Sequence, residues 1–423
     1  MKFWYRVATL GFIALSITSC NNDDFYFQNY YQHYEEAILD YDKTIAINPQ
    51  DSDAWNGRGD NLYSLGKYEE AIASYDQAIT INPKDSDAWN DKGDALYSLE
   101  KYQAAILAYD QAIAINPKDS DAWNGRGDNL YSLAKYEEAI ASYDKAIAIV
   151  PEDVNVWDDR GDALYSLEKY PEAIASYDKA IAIAQKENDS WFRRIFNLKN
   201  LGENHEVWND RGDALYWLEK YEEAILAYDK AITINPEYHE AWYNRGAALD
   251  ILEKYEEAIL AYDKAIAINP EYQESWYSRG ITLENLQKYE EAIASYDKAI
   301  AINPEYQEAW NDRGDALYSL EKYQEAILSY DKAIAINPKD SDAWNDRGDA
   351  LFSLEKYKEA ILSYDKAIAI KPDDYEPWYS KGFALENLKK YQEALKCYQK
   401  SIELQPGFAE AINKRNELLK KLS

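Results

Sequence analysis

The chain has 423 residues and a formal net charge of −31, from 46 basic and 77 acidic side chains. This acidity excludes the broad basic surface that sequence-independent binding to nucleic acid or to anionic lipid requires. Hydrophobic residues make up 47% of the chain, which is too many for a disordered acidic protein, and two cysteines and three histidines exclude both a disulfide framework and a zinc site built from several such residues.

Residues 1–19 have the pattern of an export signal. Lys2 and Arg6 precede an apolar stretch at 7–17, which is shorter than a membrane-spanning helix needs to be. The sequence Ile-Thr-Ser-Cys at 17–20 resembles the bacterial lipobox. That resemblance implies a diacylated Cys20 and a lipid-anchored protein of the bacterial cell envelope, with no other attachment to the membrane. The alternatives are an ordinary signal peptide and an uncleaved anchor.

Residues 20–33 are polar and aromatic, and we predict that they form a short tether. Beyond them, tryptophan recurs at a constant interval over two stretches, at 55, 89, 123, 157 and 191 and again at 208, 242, 276, 310, 344 and 378. A fixed interval of this length is typical of a solenoid. In the unit 52–85, Trp55, Gly59 and Leu62 share one helical face, and Pro83 ends the unit.

The spacing of these residues resembles the tetratricopeptide repeat, a helix–turn–helix unit with the same period. The residues that carry the resemblance in the first full unit are Trp55, Gly59, Leu62, Tyr68, Ala71, Tyr75, Ala78 and Pro83. Arg58 departs from the pattern, since the family often has leucine there. Full copies start at 52, 86, 120, 154, 205, 239, 273, 307, 341 and 375. Repeat positions below are counted from these starts.

The resemblance implies an all-α fold, a right-handed α-solenoid of ten full repeats and two half repeats. The first half repeat, 34–49, matches only a second helix, and 409–423 is suited to a C-terminal capping helix. The step from Trp191 to Trp208 is only half of the usual interval, so 188–204 is the other half repeat. We therefore predict two segments, 34–187 and 205–408, that meet at a weakly protected seam, with proteolysis first within about 184–207.

In tetratricopeptide arrays the first helices line a concave groove, and positions two, five, nine and twelve face into it. Here these positions are mostly Asp, Asn and Tyr, which implies an acidic, tyrosine-lined groove for a protein or a basic, extended peptide. The alternative is a solvated surface copied by duplication. The candidate groove residues are Asn56, Asp60, Tyr63, Asp94, Tyr97, Asp128, Tyr131, Asp162, Tyr165, Asp213, Tyr216, Tyr243, Asp250, Tyr277, Glu284, Asp315, Tyr318 and Asp349.

As surface carboxylates, Asp315 and Asp349 are expected to contribute little to stability, so that Asn at either position should leave folding unchanged. The repeats at 239 and 273 have Tyr243 and Tyr277 at position five and lack Asp at position nine. This predicts an exposed aromatic patch, either a binding hot spot or sequence drift.

Residues 375–423 hold nine basic and six acidic side chains, unlike the acidic remainder. This difference in charge either favours head-to-tail self-association, or the basic side chains only keep the capping helix solvated. The sequence has no nucleophile constellation and no phosphate-binding loop, so we predict a non-enzyme without cofactor or metal. The leading hypothesis is a protein-interaction scaffold on a bacterial envelope membrane, with repeats that resemble cyanobacterial arrays. The alternatives are an accessory or assembly factor of an envelope or photosynthetic complex and, third, an unrecognised catalyst.

Overall fold

A computed structural model of the chain describes the backbone of residues 23–188 and 205–422, and side chains within 31–186 and 205–422. In these ranges it contains helices and no strand, which confirms the all-α prediction. The chain divides into two compact units, Met1–Glu203 and Asn204–Ser423. The predicted leader, Cys20 and nearly all of the half repeat at 188–204 lie outside the described residues, as does most of the predicted cleavage region.

The first unit contains nine described helices. They are α1 (Asp23–Ile47), α2 (Ser52–Ser64), α3 (Tyr68–Ile81), α4 (Ser86–Ser98), α5 (Tyr102–Ile115), α6 (Ser120–Ser132), α7 (Tyr136–Ile149), α8 (Val154–Ser166) and α9 (Tyr170–Asn188).

The second unit contains thirteen described helices. They are α10 (His205–Trp217), α11 (Tyr221–Ile234), α12 (His239–Ile251), α13 (Tyr255–Ile268), α14 (Gln273–Asn285), α15 (Tyr289–Ile302), α16 (Gln307–Ser319), α17 (Tyr323–Ile336), α18 (Ser341–Ser353), α19 (Tyr357–Ile370), α20 (Tyr375–Asn387), α21 (Tyr391–Leu404) and α22 (Ala409–Leu422).

Each of the ten predicted repeat starts is the first residue of a helix, and each repeat is a first helix packed on a second helix. In six repeats an Asp precedes the first helix, and its side chain accepts hydrogen bonds from the first-turn backbone, as Asp51 does from Ala54 N. The Trp55 indole donates to the carbonyl of Pro49 at 3.2 Å. The same bond recurs in eight other repeats and fixes the turn between units.

The core of each repeat is built around the tyrosine at position 24, on the second helix. This side chain is at most 2% exposed in all ten repeats. Its ring lies against the glycine at position eight of the first helix, and a Cβ on Gly314 would come within 2.5 Å of Tyr330 Cε1. Glycine is therefore required there because the ring occupies the space of a side chain.

Arg58, the residue that departs from the family pattern, connects three helices. Its Nε donates to Asp42 Oδ1 of α1 at 2.8 Å, and its Nη1 donates to Ser74 Oγ of α3 at 2.7 Å. We call this pair of bonds the arginine bridge. It joins a repeat to the one before, and it recurs at Arg126, Arg160, Arg279, Arg313 and Arg347.

Two boundaries differ from the others in the array. Helix α1 begins at Asp23, so residues 23–33 of the predicted tether are helical. No Gly or Pro lies between residues 21 and 48, so nothing in that stretch ends the helix. Helix α9 continues to Asn188, because its repeat lacks the Asn-Pro stop. None of the described helices is both long enough and apolar enough to cross a membrane.

Candidate functional site

Within each unit the first helices form a row, because each first helix contacts the first helix of the next repeat as well as its own partner. The predicted groove residues lie on these helices, one set for each repeat. Neighbouring sets are brought together: Asn56 Nδ2 of α2, for example, donates to Asp91 Oδ2 of α4 at 3.1 Å. The row is thus a continuous polar surface within a unit.

The Asp at position nine accepts a hydrogen bond from the buried tyrosine hydroxyl of its own repeat. The Tyr75 hydroxyl lies 3.1 Å from Asp60 Oδ1, and the Tyr330 hydroxyl lies 2.7 Å from Asp315 Oδ1. The bond spans fifteen residues of sequence each time. The other pairs are Tyr109–Asp94, Tyr143–Asp128, Tyr177–Asp162, Tyr228–Asp213 and Tyr364–Asp349.

Where position nine is Ile or Phe, the core tyrosine donates its hydrogen bond to a carboxylate one helical turn further along the first helix. In the repeats with Ile281 and Phe383, the core tyrosine donates instead to position twelve, from Tyr296 to Glu284 at 2.9 Å and from Tyr398 to Glu386 at 2.7 Å. The remaining case, Asp250, accepts from Thr282 Oγ1 of the next first helix at 2.7 Å. Nine of the ten core tyrosines thus donate to a carboxylate of their own first helix.

The expectation that Asp315 and Asp349 are ordinary surface carboxylates was wrong. Both are largely buried, and burial raises the pKa of Asp349 to about 6 and also raises that of Asp315. Substituting either residue changes the environment of a buried tyrosine hydroxyl, so stability is expected to respond. In the sequence, the constant spacing of fifteen residues between this Asp and the core Tyr indicates that the two residues are partners.

A second set of carboxylates, at position six, was not among the predicted residues. Burial, followed by the nearby charge of Asp60, raises the pKa of Asp91 to about 7. Burial, followed by the charges of Asp315 and Asp349, raises the pKa of Asp346 to about 8. Position six lies against the preceding repeat, because a Cβ on Gly57 would meet the Tyr41 ring of the preceding helix. It also faces the row, because Asp91 accepts a hydrogen bond from Asn56 of the preceding first helix.

The carboxylate ladder is our name for the acids at positions six, nine and twelve. In the second unit, burial also raises the pKa of Glu284 to about 7 and that of Asp312 to about 6, and neighbouring acids add to both shifts. The ladder is thus an array of partly desolvated acids that repel one another.

Asparagine at position five adds hydrogen-bonding groups beside the ladder. Asn345 Nδ2 lies 3.3 Å from Asp349 Oδ2, so its donor side is used. Its Oδ1 is buried and has no hydrogen-bond partner among the residues that the structure describes. The same holds for the Oδ1 atoms of Asn56, Asn90, Asn124 and Asn311. The row therefore holds buried amide oxygens that lack a hydrogen-bond donor among the described residues.

The tyrosines at position twelve form the rim of the row. The hydroxyls of Tyr63, Tyr131 and Tyr318 lie 3.2–3.3 Å from a serine hydroxyl of the next repeat. Their rings, and those of Tyr97, Tyr165 and Tyr216, pack against the first tyrosine of the second helix at 5.3–5.8 Å. Tyr97 remains 42% exposed. The rim can therefore contact a ligand without rearranging.

The rings of Tyr243 and Tyr277 are not exposed as predicted. Both are half-buried, and they pack against Tyr272 at 5.3 Å and Tyr306 at 4.8 Å. The Tyr277 hydroxyl also donates to Asp312 Oδ2 at 2.7 Å. Tyr272 and Tyr306 directly precede a first helix, where six other repeats have the capping Asp. The tyrosine at this position and the tyrosine at position five therefore cover one another. They form a packed cluster rather than an open patch.

Several solved structures are similar to parts or to most of this chain. A search of curated proteins finds no match. Among solved structures, YrrB, a TPR protein with an unusual peptide-binding site, is 24% identical, with 45% of this chain and 98% of that chain covered and a TM-score of 0.41. MamA is 27% identical, with 41% and 96% covered and a TM-score of 0.39. The APC/C hetero-tetramer Cut9-Hcn1 is 15% identical, with 98% and 99% covered and a TM-score of 0.41.

The family assignment rests on sequence profiles described as tetratricopeptide repeat or TPR repeat. One of them matches residues 32–86, 58–120, 90–154, 124–189 and 277–341, which together are more than half of the chain. Others match 239–272, 375–408, 212–249, 348–389 and 329–361. The matches, the paired helices and the tyrosine–glycine core agree, and the chain belongs to the tetratricopeptide-repeat family of protein-interaction scaffolds.

Proposed function

We propose that this scaffold binds a basic, extended segment of a partner protein along the first-helix row. The observation that carries the proposal is the carboxylate ladder, in which burial and mutual repulsion keep several acids partly protonated near neutral pH. An arginine or lysine placed among them would relieve the repulsion and favour the ionised form.

The neighbouring groups suit the backbone and side chains of such a segment. Rotation of the Asn311 and Asn345 side chains would present their buried Oδ1 atoms to backbone N–H groups of an extended chain. The ring of Tyr318, on the rim, offers its face to a cation. A basic segment thus finds charge, hydrogen-bond acceptors and aromatic surface on successive turns of the same helices.

The proposal predicts that binding is coupled to proton release. A flexible peptide of Arg-Gly-Ser repeats should bind near pH 7 and release protons, because the bound cations lower the raised pKa values of acids such as Asp346 and Asp91. Isothermal titration calorimetry in two buffers of different ionisation enthalpy measures the number of protons released per peptide bound. Affinity should fall steeply above about 0.15 M salt, where the screening length is about 8 Å.

Asp346→Asn tests the site itself. It should weaken peptide binding roughly threefold to tenfold, about 0.7–1.4 kcal/mol, and should reduce the number of protons released. Glu359→Gln removes the same charge from the exposed side of α19 and serves as the control. Equal effects of the two variants, or equal binding of a Glu-Gly-Ser peptide, would show that the ladder is not the binding site.

We also propose that Cys20 carries a lipid that holds the scaffold on a bacterial envelope membrane. The proposal is supported by the export signal and the lipobox-like residues 17–20. A Cys20→Ser variant expressed in a bacterium should remain unprocessed or leave the membrane fraction, whereas the wild-type chain should gain the mass of a diacyl modification. Unchanged processing and fractionation of the variant would contradict the proposal.

A further inference from the structure

The described array begins and ends with a half repeat, and the two halves are of opposite kinds. Helix α1 contains the second-helix pattern, with Tyr41 at the position of the core tyrosine Tyr75. Helix α22 starts one full repeat period after α20 and follows a second helix, so it holds the place of a first helix. Among the described elements, α1 therefore has no first helix before it and α22 has no second helix after it.

The open face of α22 exposes apolar side chains that are buried elsewhere. Its Ala411 and Leu418 are buried against the preceding repeat. Leu419, at position eleven, is 49% exposed, whereas the leucine at that position is at most 7% exposed in all ten full repeats. Leu422 is also exposed. The missing neighbour is the second helix, because Leu62 and its equivalents pack against the second helix of their own repeat.

Helix α1 shows the complementary deficit. Thr44 is exposed at position 27, where the equivalent Ala78 is fully buried between two first helices. Tyr41 is only half-buried, and Ile47 is 86% exposed. The side of α1 that a preceding first helix would cover is thus open.

We propose that the two ends dock head to tail between copies of this chain, with α22 of one copy taking the place of the missing first helix beside α1 of the next. The charges are complementary: α22 has four basic and two acidic side chains, and residues 31–47 of α1 have four acidic and one basic. Because the contact joins two different surfaces, it produces open chains of copies rather than a closed dimer.

The repeat register assigns specific pairs to this junction. Arg415 stands at the position of Arg58, and Asp40 of the next copy stands at the position of Ser74, which accepts the Arg58 Nη1 bond. In place of a neutral hydrogen bond the junction therefore gains an ion pair. Glu417, at position nine, is likewise placed to accept a hydrogen bond from the hydroxyl of the next copy's Tyr41, as Asp60 does from Tyr75.

One residue limits the strength of the junction. Asn416 stands at position eight, where all ten full repeats have glycine against the tyrosine ring. At the spacing of a full repeat its Cβ would overlap the Tyr41 ring, so α22 must sit further from α1 than a first helix normally does. The contact is accordingly weak and reversible, with the apolar overlap reduced and the ion pair retained.

Sedimentation velocity of the purified full chain over a range of concentrations tests the proposal. The wild type should form a concentration-dependent series of species that dissociates as salt is raised. Arg415→Glu should weaken association at least about fivefold, and Asp40→Lys in the same chain should restore it. Asn416→Gly should strengthen association, because the tyrosine ring then has room. Lys396→Glu, the same charge change on an exposed part of α21, is the control.

Circular dichroism of each variant checks that the helices remain folded. A chain that stays monomeric both as wild type and as Asn416→Gly would overturn the proposal. So would association that the Arg415 and Asp40 charge exchange fails to restore, since a different surface would then be responsible. Neither result bears on peptide binding along the first-helix row, which the proposal does not require.

Discussion

Gly314→Ala is expected to lower the unfolding free energy of the second unit by about 2–4 kcal/mol, a large loss for a single added methyl group. The new Cβ would lie 2.5 Å from Tyr330 Cε1 and 2.8 Å from two other ring atoms. The ring cannot retreat easily, because it is 1% exposed and its hydroxyl is bonded to Asp315. Adjacent repeats stabilise one another, so the loss should spread to α14–α19.

Hydrogen exchange followed by mass spectrometry measures the loss of unfolding free energy for each helix separately. This method is suitable because a repeat array need not unfold in one step. The control is Gly66→Ala, where nothing lies within 4 Å of the added Cβ and the backbone φ of +73° is the only strain. Its expected cost is about 1–2 kcal/mol. Tyr330→Leu should offset part of the Gly314→Ala loss, and strict additivity of the two changes would contradict the steric explanation.

The folded array is expected to be more stable at pH 5.5 than at pH 8.5. Burial raises the pKa of Asp346 to about 8 and those of Asp91 and Glu284 to about 7, all above their values in an unfolded chain. A folded state with raised acid pKa values binds more protons than the unfolded state. Its stability is therefore greatest below the unfolded pKa and is lost as pH rises through about 6 to 8. The difference should be on the order of a few kcal/mol.

Thermal unfolding followed by circular dichroism across this pH range measures the effect. Asp346→Asn should raise the midpoint at pH 8.5, flatten the pH profile and change little at pH 5.5, where the native carboxyl is already neutral. Glu359→Gln, on the exposed face of α19, should not alter the profile. A thermal unfolding midpoint that rises with pH would mean that ionisation of the carboxylate ladder does not destabilise the folded state.

The fold was predictable because its determinants are local and repeated. Trp55, Gly59 and Pro83 recur at fixed spacing, and the helices begin at the predicted residues. The start of α1 was missed because the polar and aromatic composition of 23–33 suggests a tether, whereas the lack of any helix-breaking residue favours a helix.

The candidate site was only half predictable, because burial is decided by partners far apart in sequence. The sequence placed Asp60 on the first-helix row but did not reveal that the hydroxyl of Tyr75, fifteen residues later, uses one of its oxygens. It also suggested an exposed Tyr277, although Tyr306 packs against it across a repeat boundary. Position six was overlooked because its significance depends on the tyrosine of the preceding repeat.

The arginine bridge has a consequence for how arrays of this kind change length during evolution. Most repeats carry an arginine, or in two cases a lysine, for the junction behind them and an aspartate for the junction ahead, as Arg313 and Asp331 do in the repeat at 307. Recombination between equivalent points of two nearly identical repeats that carry both residues adds or removes one whole repeat and leaves the basic residue at each junction opposite an aspartate. A gene built in this way can gain or lose repeats in one event without any compensating mutation. The number of repeats can therefore change to match the length of the partner that the scaffold binds.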